Sequence, residues 1–102
     1  MIRVRFYGSG ETLKGFELSG HAGYAKSGKD IVCAAVSSAV QLTMNILGGL
    51  GYEPDVTIGD NVIRCGVSGS GESSAILGIF REHLEAVLEE FPGTIKITFS
   101  EV

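Results

Sequence analysis

Asp30-Ile31-Val32-Cys33-Ala34-Ala35-Val36-Ser37 opens a run that stays largely apolar as far as Leu47 and meets Gly48-Gly49. Ser27, Gly28 and Asp30 are helix-start signals, and a glycine pair is a usual stop. The run predicts a helix from about Asp30 to Leu47, with Asp30 as its N-cap and Cys33 in the first turn. Its residues Ile31, Val32, Val36, Val40, Leu42, Met44, Ile46 and Leu47 leave almost no polar face. A helix that is apolar all round is buried all round. A sheet can cover one side of it, so the pattern predicts a second copy of the chain over part of the rest. The small Ala34, Ala35, Ser37, Ser38 and Ala39 permit close approach.

Outward from this helix the signals are those of strands. Upstream, Ile2, Val4 and Phe6 alternate with Arg3, Arg5 and Tyr7, the mark of a half-buried strand. Gly8-Ser9-Gly10 breaks it, and Thr12 to Leu18 returns as the other arm of a hairpin. Gly20 to Lys29 is a loop rich in glycine. Downstream, Tyr52 to Ile58 and Val62 to Ser68 flank the turn Gly59-Asp60-Asn61. A second helix is predicted from about Glu72 to Glu90, with Ile76, Ile79, Phe80, Leu84, Val87 and Phe91 as its apolar stripe. After Pro92-Gly93, Ile95, Ile97 and Phe99 alternate with polar residues. The order is β-β-α-β-β-α-β. It implies an α+β, two-layer domain: a mostly antiparallel sheet of about five strands packed with two helices.

The chain's 102 residues make a single domain, 1–102, long enough to bury roughly 60–70% of its unfolded surface without staples. Eight basic against 12 acidic residues give a net charge of −4, a poor footprint for direct nucleic-acid contact. A basic protein or peptide is the better-matched partner. No apolar run is read as reaching the ~18–20 residues of a membrane span, and neither a leader pattern nor a disulfide framework is visible. The sequence therefore points to a cytoplasmic protein with no membrane role.

The candidate chemistry lies in Ser19-Gly20-His21-Ala22-Gly23 and Cys33. A small buried hydrophobe is the ordinary use of a cysteine on an apolar helix. The start of a helix, however, favours an anion, and a nearby imidazole can take the thiol proton. Cys33 is thus the candidate nucleophile and His21 its base, with Asp30 as cap or as orienter of His21. Gly20 would lend the loop freedom, and the backbone N–H groups of Cys33 and Ala34 could hold an oxyanion. Cys65, between Ile63 and Val67 on one strand face, is read as buried. His83, at the edge of the second helix's stripe, is read as a core histidine. The spacing of His21, Cys33, Cys65 and His83 fits no zinc pattern, and no metal or cofactor is expected.

Gly20-His21-Ala22 followed by Asp30-Ile31-Val32-Cys33-Ala34-Ala35-Val36-Ser37 resembles the ribosomal-processing cysteine protease family, Prp. The resemblance implies a cysteine–histidine pair, carried here onto Cys33 and His21, in a small cytoplasmic homodimer. It also implies the substrate: the N-terminal extension of a large-subunit ribosomal protein precursor, the bacterial L27-type protein. Two readings compete: a non-enzymatic ribosome-associated binding module, and a redox-sensing thiol protein lacking a good resolving partner.

Overall fold

The computed structural model describes residues 1–20 and 29–102, except for the side chains of residues 29 and 30. The loop from Ala22 to Lys29 and His21 itself therefore fall almost wholly outside the described residues. The element order is the expected one: β1 (Ile2–Ser9), β2 (Thr12–Ser19), α1 (Lys29–Gly49), β3 (Asp55–Ile58), β4 (Val62–Gly66), α2 (Gly71–Glu90) and β5 (Ile95–Glu101). The strands form one sheet in the order β3-β4-β2-β1-β5. Three neighbouring pairs are antiparallel, and β1 and β5 are parallel. A parallel neighbour cannot be reached by a tight hairpin. Here α2 supplies the crossover from β4 to the far edge of the sheet.

Alternation in β1 turns Ile2, Val4 and Phe6 toward the helices, and all three are buried. Opposite Phe6 on β2 stands Phe16. With Phe80 of α2 these rings form a tilted triad, centroids 4.8–6.2 Å apart, a spacing at which aromatic rings attract. From α1 come Val32, Val36, Val40 and Leu47, mostly one turn apart. Thr43 is buried on the same helix, its Oγ1 donating to the Ala39 carbonyl at 2.7 Å.

A reciprocal cap starts α2. Ser70 Oγ accepts from the Ser73 N–H at 3.1 Å, and Ser73 Oγ accepts from the Ser70 N–H at 3.0 Å. The Leu13 N–H donates to Ser74 Oγ at 2.8 Å and ties this helix end to β2.

Four expectations are corrected. The core stripe of α2 is Ser73, Leu77, Phe80 and Leu84, whereas Ile79 is 66% exposed. Apolar residues on α2 cover more than one face, so their spacing alone does not say which face meets the sheet. His83 is exposed rather than a core histidine. The strand begun at Tyr52 starts only at Asp55, because the chain first turns through Gly51 and Glu53 at positive φ. Finally, Ile31–Gly49 has a mean hydropathy of 1.6 and is long and apolar enough to cross a membrane by length and composition. Its Val32-Val36-Val40-Leu47 stripe lies in the core of this domain, but only 28% of that stretch is buried within one chain.

Candidate active site

Cys33 follows Val32, which is fully buried, and precedes Ala34, which is exposed. It is itself half-buried and packs against the edge of the core. The helix begins at Lys29, ahead of the Asp30 cap expected from sequence. The backbone of Asp30 thus lies inside the first turn. The N–H groups of Cys33 and Ala34 lie beyond that turn. In a regular helix they bond the carbonyls of Lys29 and Asp30, and the open donors stand earlier in the first turn.

Gly20 directly follows β2 at φ +69°, a conformation that side chains rarely adopt. A Cβ there would stand 2.7 Å from the Met1 carbonyl oxygen. Glycine is required at this position by conformation and by contact, a stronger reason than loop freedom. Gly20 lies at the end of the sheet where β1 and β5 begin, tied together by the Ile2 N–H donating to the Thr94 carbonyl at 3.1 Å. His21 follows directly and lies outside the described residues.

The second thiol differs in kind. Cys65 is fully buried on β4, and burial pushes it up to about 11. At neutral pH it is protonated and sealed. The two cysteines do not form a disulfide. Among the described residues no three His, Cys, Asp or Glu side chains come together as a metal-binding group.

Between α1 and α2 runs an apolar groove of about 590 Å³, lined by Ala35, Ala39, Leu42, Ile46, Ile79 and Phe80, with His83 at its lip. Ile31 and Leu42 on α1, Leu50 just beyond its end and Ile79 on α2 are each more than half exposed. Sequence reasoning missed this groove. The surplus of apolar residues on α2 beyond one core stripe was its signal.

The comparisons with known proteins agree with this fold. The family model for cysteine protease Prp matches residues 1–96. A ribosomal processing cysteine protease Prp from Staphylococcus aureus strain Mu50 is 31% identical over 87 residues, covering 80% of this chain and 82% of its own. The Prp of Bacillus subtilis strain 168 is 43% identical over 47 residues, 45% of this chain and 42% of its own. Among solved structures, S. aureus Prp in complex with a covalently linked product peptide superposes with a TM-score of 0.82 at 27% identity. That alignment covers 98% of this chain and 100% of that one. The same enzyme with a substrate peptide gives a TM-score of 0.85 at 24% identity, again over 98% and 100% of the two chains. The non-enzymatic alternative falls with these findings. With Cys33, Gly20 and all five strands inside or overlapping the matched span, the chain belongs to the cysteine protease Prp family and is a cysteine protease of the ribosomal-processing kind.

Proposed function

We propose that this protease removes the N-terminal extension of the L27-type ribosomal protein precursor in the cytoplasm, with Cys33 as nucleophile and His21 as base. The observation that carries the assignment is the contrast between the two thiols. A cysteine protease needs a thiolate that a peptide can reach. Cys65 is sealed in the core and held protonated up to about 11, which leaves Cys33, at the edge of the core near the start of α1. The redox reading loses its resolving partner for the same reason.

In this reaction the Cys33 sulfur attacks the scissile carbonyl carbon, and the carbonyl electron pair moves onto oxygen. The N-terminal end of α1 stabilises the negative charge that develops. His21, having taken the Cys33 thiol proton, gives it to the amine as the C–N bond breaks and the acyl-enzyme remains. It then takes one from water, which attacks the acyl-enzyme and frees the Cys33 sulfur. Asp30 either favours the helix end or orients His21.

A homodimer completes the reading. Leu42 and Ile79, each more than half exposed, line the apolar groove, and exposed apolar surface of this kind marks an interaction site. A second copy covering it would bury the part of α1 that one chain leaves open.

Iodoacetamide labelling at neutral pH followed by peptide mapping tests the thiol assignment. The expected result is modification of Cys33, slowed in His21→Ala, with Cys65 untouched until the protein unfolds. Labelling of native Cys65 ahead of Cys33 would overturn it.

A further inference from the structure

The open face of the sheet, away from the helices, carries a charge opposite to that of the chain. Arg3 on β1 stands directly across from Lys96 on β5, and Arg5 lies two residues further along β1. Arg5 faces Glu17 on β2, which faces Arg64 on β4. These are four of the chain's eight basic residues. Glu17 is the carboxylate set among them; Asp55, opposite Gly66, lies on the same face but beyond Arg64 on the edge strand β3, and Asp60 lies in the turn that follows β3. On the other side, α2 carries five glutamates and a single arginine, Arg81. The net charge of −4 averages an acidic helix and a cationic sheet face.

The cations do not neutralise one another's surroundings. Glu17 serves two arginines, accepting from Arg64 Nε at 2.9 Å with Arg5 Nη2 at 3.8 Å. Among the described residues no carboxylate pairs with Arg3 or Lys96, which are exposed. Like charges directly opposite each other destabilise a sheet, and a bound anion would relieve that repulsion. Around the pair lies a shallow depression of about 270 Å³, to which Ser19 and Thr98 add hydroxyl groups. Arginine, lysine and hydroxyl donors are the groups that hold phosphate oxygens.

The geometry favours a chain of anions over a single one. Strands ~4.8 Å apart place Lys96, Arg3, Arg5 and Arg64 along a strip about 14 Å wide. A nucleic-acid strand offers a fixed negative charge at every nucleotide. An extended acidic peptide turns successive carboxylates to opposite sides and presents only alternate ones. Base readout has no platform here, because Tyr7 packs over Gly15 and Gly66 with its hydroxyl donating to the Cys65 carbonyl, and Arg5 lies 5.3 Å from its ring centre.

We infer that the Arg3–Arg5–Arg64–Lys96 face of the sheet docks the phosphate backbone of single-stranded RNA without sequence preference. Composition argues against nucleic acid, and the segregation of charge reverses that argument. This docking does not rest on the protease reaction, since it needs neither Cys33 nor His21. The four cations less Glu17, the carboxylate set among them, leave three positive charges to meet phosphates, with Asp55 beyond them on the edge strand β3.

Fluorescence anisotropy of a labelled oligouridylate about a dozen nucleotides long tests it, with oligoglutamate of equal length as the competing anion. Binding should weaken about 20-fold between about 50 and about 200 mM salt, the slope for about three neutralised phosphates on a single strand. Arg3→Gln/Lys96→Gln should lose most of the affinity and flatten the salt slope. Lys96→Gln alone should lose part of it, and Arg81→Gln, on α2, should bind like wild type. Absence of RNA binding at low salt, an unchanged affinity in the double variant, or oligoglutamate binding as tightly would each overturn the inference.

Discussion

At the scale of single residues, the two cysteines show how position decides chemistry. Cys33 sits at the rim of the core near a helix start, and Cys65 sits inside the core on β4. Burial raises Cys65 from an ordinary thiol value to about 11, so it stays protonated in the folded protein while an unfolded chain would lose that proton. The unfolded state is therefore favoured as pH climbs through the window between those values. Stability should fall by about 2–3 kcal/mol from pH ~9 to ~11. Urea denaturation across that range measures it, and Cys65→Ala should lose much of the slope. An equal slope in that variant would assign the effect elsewhere. The burial of Cys65 was legible in Ile63-x-Cys65-x-Val67. The conformational need for Gly20 was not, because a glycine in a sequence does not reveal its φ or the carbonyl beside it.

At the scale of elements, alternation and glycine punctuation were enough to order all seven. The pairing of β5 with β1 in parallel was not readable, since it depends on where α2 returns the chain. The face of α2 was misread for a reason of spacing. Ile76, Leu77, Ile79 and Phe80 crowd one stretch, and periodicity alone gives no priority to Leu77 over Ile79. The structure buries Leu77 completely and leaves Ile79 mostly exposed. Leu77→Ala should cost about 2–5 kcal/mol of stability, and Ile79→Ala less than about 1 kcal/mol. Both are measured by urea denaturation at a dilution that favours the monomer, and a larger loss for Ile79→Ala would contradict the packing described here.

At the scale of the whole molecule, composition misled where distribution mattered. A net charge of −4 conceals two unlike sides, and an apolar helix leaves most of its surface uncovered by its own chain. If a second copy covers that surface, Ile79→Lys should shift the sedimentation coefficient from dimer to monomer. It should do so without unfolding the chain, because Ile79 lies outside the core. A wild-type chain that sediments as a monomer would remove the dimer from the account. The candidate site was legible in part. Cys33 and its helix could be named from the residues alone, but the position of His21 relative to the sulfur belongs to tertiary structure, not to spacing along the chain.

The central claim is that one thiol, Cys33, carries the peptide-bond chemistry. Mass analysis of a precursor peptide bearing the N-terminal extension, after incubation with wild type, Cys33→Ala and Cys65→Ala, tests it most directly. The account predicts trimming by wild type and by folded Cys65→Ala, and none by Cys33→Ala. Trimming at the wild-type rate by Cys33→Ala would contradict it.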